Sequence, residues 1–462
     1  MSALPTGWID TKLDDLGVLY CGQSPSARDV NQNGRGTPYV TGPEQWDGQS
    51  VHRTKWTTDP RRVVPDGCIF ITVKGAGVGT MFPGIACAIG RDVYAYRPHP
   101  QVDFHYVSYS LQHTIDEVLR NARGDIPGLS REHIVDHSIG FPPLEEQRRI
   151  VAKLDSLRAR SSRARNQLDH IPKLIERYKQ AILTKAFSGE LTADWREQHP
   201  CDASQFMTTT GIAVATNNAA DPLPEGWCWA HAGEICAIKS GIALGKKRSA
   251  DTQLVELPYL RVANVQRGWL DLSEIKTTLV TPREAEALYL QAGDVLMNEG
   301  GDRDKLGRGW VWEGEIKSCI HQNHVFRLRP KSSLIPSRYI SYYANEFGQR
   351  YFLDEGKQTT NLASISMSKV SALPIPMCTP NEMKVIVQRI EAAFAWLDKI
   401  ATEHARADHL LPKLDQAILA KAFRGELVPQ DPNDEPASEL LERIKAERES
   451  REQPRRRRAG SA

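Results

Sequence analysis

The stretch QAILTKAFSGEL, Gln180 to Leu191, decides the fold, because Gln416 to Leu427 reads QAILAKAFRGEL. Ten of the twelve residues agree across an offset of 236 positions. A period this long divides a 462-residue chain into two statements of one plan, and the remaining sequence is best read by asking what else returns. LPTGW at Leu4–Trp8 returns as LPEGW at Leu223–Trp227, and TPYV at Thr37–Val40 as LPYL at Leu257–Leu260. FPPLEEQRRIVAKL, Phe141–Leu154, aligns more loosely with MCTPNEMKVIVQRI, Met377–Ile390, again at 236. Each half is therefore a variable globular segment followed by a repeated one.

The repeated segments have the period of long helices. In the first copy Ile150, Leu154, Leu157, Ser161, Ala164, Leu168, Ile171, Ile175, Tyr178 and Ile182 recur in alternating steps of four and three. The second copy continues the register through Ile386, Ile390, Ala393, Leu397, Ile400, His404, Ala407, Leu411, Leu414 and Ile418. Such a heptad seam is that of helices packed knobs into holes. Two seams of equal length in one chain can bury their stripes against each other, and antiparallel pairing would put a globular segment at either end. Pro143 and Pro380 suit helix starts, and Gly189 and Gly425 suit stops. Pro172 and Pro412 predict a kink or break in each copy.

The variable segments alternate short β-rich runs with turn clusters: CIFITV (68–73), DVYAYRP (92–98), DVLMN (294–298) and HVFRLRP (324–330). HYVSYSLQHTIDEVL and SRYISYYANEFGQRYFL then carry helical three-four spacing. The predicted class is α+β. Its domains are 1–142, a helical region 143–191, a loose polar connector 192–222, a second globular domain 223–378, a second helical region 379–427, and a tail 428–462 with a short charged helix.

Composition excludes several classes. Hydrophobic residues at 40% and charged residues at 25% are ordinary for globular domains. The N-terminus lacks a signal-peptide pattern and no apolar run could span a bilayer, which points to a cytoplasmic protein with no membrane partner. Eight scattered cysteines without a C-x-x-C pair argue against a disulfide framework or zinc site. Residues 1–142 hold 13 Lys+Arg against 15 Asp+Glu, and residues 223–378 hold 19 against 17, so neither is a broadly basic DNA-binding surface.

Motifs that suggest catalysis fail on context. IFITVKGAGVGT resembles a strand entering a phosphate loop, but Pro83 and Gly84 follow where a helix should begin, so it reads as a hairpin tip. DVLMNEGGDRDKLGRGWVW reads the same way. GIALGKK lacks the spacing and Ser/Thr of a Walker loop. His321 and His324 in HQNH could ligate a metal, yet with no acidic neighbour in sequence they fit a structural role better. No nucleophile or metal cluster emerges: no catalytic residue and no cofactor is assigned to this chain.

The loops, in contrast, are rich in groups that read base edges or phosphates. The first half offers Arg28, Asn31, Asn33 and Arg35, then Lys74 and Arg123. The second offers Lys246, Lys247, Arg248, Arg261, Asn264, Arg303, Lys305 and Arg308, then Lys357, Gln358, Thr359, Thr360 and Asn361. Taken singly, each is better explained as a solvated surface side chain. Their recurrence carries more weight: Arg123 and Lys357–Asn361 precede the repeated helix in their respective halves.

LPxGW, a variable segment, PPLEEQRRIVAKLD and QAILxKAFxGEL, all stated twice, closely resemble the specificity subunit of Type I restriction-modification enzymes, and the tail ASELLERIKAERESREQPRRRR resembles the enterobacterial-type branch. The second EEQ is replaced by Asn381, Glu382 and Met383, which weakens the expectation of partner contacts there. The resemblance implies two target-recognition domains separated by an antiparallel coiled coil, each domain reading one half of a gapped, asymmetric double-stranded DNA site. It further implies two methyltransferase subunits that bring S-adenosylmethionine and methylate adenine, and restriction/translocase subunits that use ATP and Mg in defence against foreign DNA. A self-sufficient DNA methyltransferase would show a methyl-donor loop and an Asn/Asp-Pro-Pro-aromatic motif, which is absent from the sequence. A coiled-coil scaffold, the other alternative, would use the variable segments only as spacers.

Overall fold

In the computed structural model Pro143 caps a helix, Leu144–Leu168, whose first turn carries Glu145 and Glu146 against the positive helix end. The structure describes residues 4–75, 77–121, 128–200, 202–215, 222–245, 251–301, 306–355, 357–358 and 363–459. The chain divides into two units, one of residues 1–169 and 405–462, the other of residues 170–404. Each contains a mixed α/β domain and part of both repeated helices.

The first unit has a four-stranded antiparallel sheet in the order Gly17–Cys21, Val93–Pro98, Ile69–Thr72, Met81–Pro83. A five-stranded sheet lies beside it in sequence, with one parallel pair, Thr37–Val40 against Cys87–Ile89. Ile9–Lys12 pairs with Ser138–Phe141, so the start and end of the first variable segment are tied together. The second unit repeats the plan. Its four-stranded sheet runs Cys236–Ser240, Val325–Pro330, Asp294–Asn298, Gly309–Trp312, and Cys228–His231 pairs with Pro374–Met377. The helices Phe104–Asn121 and Ser337–Glu346 correspond. Buried Tyr106 and Tyr339 at their starts donate to the carbonyls of Gly140 (2.5 Å) and Pro376 (2.7 Å), so one hydroxyl in each unit closes helix onto terminal strand. Both glycine-rich segments are hairpin tips, joining Ile69–Thr72 to Met81–Pro83 and Asp294–Asn298 to Gly309–Trp312.

The repeated helices pair antiparallel inside each unit. In the first, Ile150, Val151 and Leu154 share a core with Leu419 and Ala422, and Arg165 bridges to Asp415. In the second, Ile175 of the helix Ile171–Phe187 is buried, Leu183, Ala186 and Phe187 pack with Met383, Ile386, Val387 and Ile390, and Lys179 reaches Asp398 at 2.9 Å. The seam is less uniform than its letters. Leu397 is buried, Leu157, Leu168, Ile171, Ile400 and Leu411 are half-buried, and Leu414 is 52% exposed. Neighbouring Ile418 and Leu419 take the core side instead. Tyr178 is likewise exposed.

The two prolines behave differently. The first copy breaks at Asp169–His170, and a new helix opens with Ile171 and Pro172 in its first turn. The second copy, Pro380–Phe423, runs unbroken through Pro412. A proline removes one backbone donor and crowds the preceding turn; here the continuous 44-residue helix accommodates it.

Gly189 and Gly425 both adopt left-handed backbone, φ 80° and 72°, after the last helical turn. A Cβ on Gly189 would lie 2.3 Å from Pro224, and one on Gly425 2.3 Å from Pro5. The glycine of each GEL thus packs on the proline of an LPxGW, which is why both motifs recur together. The second GEL folds onto the first LPxGW, within the first unit.

The connector corrects the expectation of a loose segment. Ala193–Gln198 and Ala203–Thr209 are helical, Ala203 is buried, and Met207 and Ile212 belong to the second unit's core. Ala203 N–H donates to Gly226 O (2.8 Å), and in the first unit Ala437 N–H donates to Gly7 O (3.3 Å). DASQFM (202–207) and PASELL (436–441) are therefore counterparts too, and the tail helix, Ala437–Ala459, is 23 residues long rather than short.

Candidate nucleic-acid interface

In the first unit Asn31 builds the loop that follows it. Its Oδ1 accepts from the N–H groups of Asn33 (3.3 Å) and Arg35 (3.1 Å), and its Nδ2 donates to Arg35 O (2.9 Å). The amide is spent on the turn, which leaves Arg28, Asn33 and Arg35 exposed around it. Lys74, also exposed, lies where the hairpin tip bridges Gly128, and Leu129 N–H donates to Val73 O (2.9 Å). The hairpin tip and the chain leaving the 122–127 segment thus meet, although Arg123 itself lies outside the described residues.

The second unit repeats that junction. Gly300–Gly301 pairs with Ala363–Ser364, which pairs with Lys357–Gln358, so the hairpin-tip loop and the Lys357 loop join in one small sheet. Arg303, Lys305, Thr359, Thr360 and Asn361 fall outside the described residues, as do Lys246, Lys247 and Arg248. The brackets on either side bring the two loops together across more than 50 residues of sequence.

Three of the sequence candidates are engaged inside the fold. Asn264, 2% exposed, accepts from Arg261 N–H (2.9 Å) and donates to the carbonyls of Asp271 (2.8 Å) and Glu274 (3.0 Å). Buried and with its amide engaged on both sides, it shapes the loop. Arg261 pairs with Glu274 (3.3 Å), and Arg308 donates to Val262 O (3.3 Å). Both brace the segment that Asn264 organises.

His324 does have an acidic partner, which sequence proximity hid: Glu299 Oε2 lies 2.7 Å from Nδ1. Glu299 also donates its N–H to His324 O and accepts from Ile365 N–H at its own carbonyl, both 2.9 Å. A carboxylate thus sits at the root of the loop junction, in NEGG, among the cationic candidates of the loops. His321 is buried with Nδ1 2.7 Å from Val325 O, and burial lowers its pKa to about 4. It is a neutral structural histidine at pH 7, and among the described residues no group of three potential ligands could hold a metal ion.

The starts of the repeated helices carry one repeated carboxylate in two settings. Buried Glu382 accepts from Thr192 Oγ1 (2.8 Å), Arg196 Nη1 (2.6 Å) and Trp227 Nε1 (3.1 Å). It faces inward, onto the start of the connector and the LPEGW tryptophan. Its counterpart Glu146 is equally buried, but its Oε1 accepts no hydrogen bond, and burial raises its pKa despite Trp8 and Arg149 nearby.

Residues 5–171 match the family model described as Type I restriction modification DNA specificity domain. The chain is 28% identical over 383 residues to the StySPI specificity subunit of Salmonella potsdam, covering 78% of this chain and 75% of that protein. It is 27% identical over 356 residues to the EcoDI specificity subunit of Escherichia coli, covering 74% and 76%. The fold matches the HsdS subunit from Thermoanaerobacter tengcongensis with a TM-score of 0.63 at 20% identity, covering 92% of this chain and 98% of that one. A chain from a study of complex assembly in the type I R-M system also gives 0.63, at 19% identity, covering 92% and 100%. Residues 5–171 thus carry the Type I restriction modification DNA specificity domain, and over about three quarters of its length the chain is similar to the specificity subunits of Type I restriction-modification systems. It is accordingly the non-catalytic, sequence-specific DNA-binding member of such a complex. No helix among the described residues is long and apolar enough to cross a membrane.

Proposed function

We propose that each unit reads one half of a bipartite, gapped DNA site and that the paired helices set the gap. The observation that carries this reading is the recurrence of one loop junction on one topology: Lys74 with Gly128 in the first unit, Gly300–Gly301 with Lys357–Gln358 and Ala363–Ser364 in the second. Among the candidates, Arg28, Asn33, Arg35, Lys74, Arg123, Lys246, Lys247, Arg248, Arg303, Lys305 and Lys357–Asn361 are left to contact DNA, with Asn31, Arg261, Asn264 and Arg308 holding the loops. Different loop sequences on one scaffold fit an asymmetric site.

Two methyltransferase subunits bring S-adenosylmethionine and methylate adenine, and restriction/translocase subunits use ATP and Mg, all in the cytoplasm where the DNA is. Exposed apolar side chains on the helices support docking there: Leu174, Tyr178 and Trp396 in the second unit, Leu410 and Leu414 in the first. Large apolar groups on otherwise charged helices mark contact surfaces.

The gap is tested by inserting one heptad after Arg165 and one after Leu414, which face each other through the Arg165–Asp415 bridge. Seven residues add roughly 10 Å at 1.5 Å per residue. At about 3.4 Å per base pair the gap in the methylated sequence should grow by about three base pairs. Binding should weaken as well, since the duplex turns by roughly 100° over that length. An active variant with an unchanged gap would show that the helices do not set the spacing.

A further inference from the structure

The two units share one backbone step at the root of the loop junction and differ in the side chains it carries. In the first unit Val73 N–H donates to Asp92 O (2.8 Å) and Leu129 N–H to Val73 O (2.9 Å). In the second, Glu299 N–H donates to His324 O and Ile365 N–H to Glu299 O, both 2.9 Å. The strands register alike around them, with Thr72 opposite Val93 and Asn298 opposite Val325. Glu299 thus stands where the first unit has buried Val73, and His324 where it has Asp92. The same backbone bonds close with either set of side chains, so the fold does not require a histidine and a carboxylate here. Stability does not require them either: the His324 side chain is 55% exposed, and a pair in such a setting contributes little.

The pair does fix how the imidazole is presented. Glu299 Oε2 lies 2.7 Å from His324 Nδ1. An ionised carboxylate only accepts, so Nδ1 carries the ring proton. Asn323 Nδ2, which only donates, stands 3.5 Å from Nε2, at the far end of hydrogen-bond reach. The partner of one ring nitrogen decides the state of the other, and both contacts select the tautomer with a lone pair on Nε2. Asp92, at the same step of the first unit, is likewise an acceptor with its side chain partly exposed.

We propose that His324 is a base-reading residue of the second unit and that Glu299 is the positioning residue that fixes its tautomer. This rests on the DNA-reading role of the loop junction, whose strands Gly300–Gly301 and Ala363–Ser364 follow Glu299 and precede Ile365 directly. In the major groove adenine and cytosine present amino donors at N6 and N4, whereas guanine and thymine present the keto acceptors O6 and O4. A lone pair on Nε2 accepts from the first two and is repelled by the last two. The pair therefore selects an amino base, adenine or cytosine, at one position of the half-site.

The test is competition binding by the full complex to a panel of duplexes. Each base pair of the sequence that the parent methylates is replaced in turn by the other three. At one position the parent should prefer A or C over G or T on one strand by about 5- to 150-fold. His324→Ala should abolish that preference. Glu299→Gln should abolish it at the same position, because a glutamine amide can donate to Nδ1 as well as accept from it and so admits both tautomers. Preferences at the other positions, and the Tm of each isolated chain, should stay the same. Unchanged preferences throughout would overturn the proposal, as would a uniform loss of affinity with a shallower salt dependence, which is the signature of a phosphate contact. A keto base preferred by the parent at the position that relaxes would overturn it too. The reading of the loops fails separately: it is lost if substitutions at Lys357, Gln358 and Asn361 leave every base preference intact, whatever the His324 panel returns.

Discussion

The same substitution at one repeated position should have opposite effects in the two halves. Glu382→Gln removes a buried charge whose oxygens accept from Thr192, Arg196 and Trp227. The glutamine amide would set N–H against the Trp227 N–H, and Arg196 would keep its charge without its counterion. Breaking a buried pair by removing one partner costs about 3–5 kcal/mol. The Arg196 side chain is 19% exposed, so water can partly replace the carboxylate, and about 2–3 kcal/mol is expected. For a unit of this size that lowers Tm by about 4–12 °C. Glu146→Gln instead removes a buried carboxylate with one oxygen unbonded and a pKa raised above 4.5 by burial. Its neutral form is the one the fold prefers, so the parent gains stability as pH falls from above the raised value toward 4.5. At pH 7 Glu146→Gln should leave Tm unchanged or raise it, and should flatten that part of the pH profile. Differential scanning calorimetry of the isolated chain checks both. Equal destabilisation by the two glutamines would refute the reasoning, because it would mean that Glu146 has partners as strong as those of Glu382.

Other outcomes follow from particular residues. Asn264→Ala should lower the second unit's stability by about 2–3 kcal/mol, through three lost internal hydrogen bonds, while the methylated sequence stays unchanged where the complex still assembles; an altered sequence in a stable protein would assign it to base reading. His321, neutral in the fold with its pKa lowered to about 4, is protonated more readily in the unfolded chain, so stability should fall as pH drops from 6.5 toward 4. His321→Gln should reduce that slope in urea denaturation series. A fragment ending near Asp221 keeps the first recognition domain and one helix with its apolar stripe uncovered, and should dimerise in light scattering, since a second copy offers a similar face; a folded, soluble monomer would count against the pairing.

Much of the architecture was legible because it is stated twice. Ile150, Leu154, Ile386 and Ile390 recur at heptad spacing and are buried, and the glycine-rich tips read as hairpins because Pro83 forbids the helix a phosphate loop needs. Legibility failed where local letters and long-range contacts diverge. Nothing near Leu414 says that Leu419 will be chosen for the core in its place. The connector helix Ala203–Thr209 reads as polar because only its Ala203 and Met207 are buried, and DASQFM resembles PASELL too weakly to be matched without the structure. At the loops, Asn264 had the chemistry of a base reader, but the carbonyls of Asp271 and Glu274 claim its amide. The Glu299–His324 pair spans 25 residues and leaves no local pattern.

The central claim, that two separate loop junctions read two separate half-sites, is tested most directly by mapping methylated adenines in cells that express the chain with its methyltransferase subunit. The parent is compared with a variant carrying Lys357→Ala, Gln358→Ala and Asn361→Ala. The account predicts a two-part sequence with a fixed gap for the parent, and degeneracy confined to one part for the variant, each lost base contact costing about 1–3 kcal/mol of discrimination. A contiguous parent sequence, or equal relaxation of both parts in the variant, would contradict it.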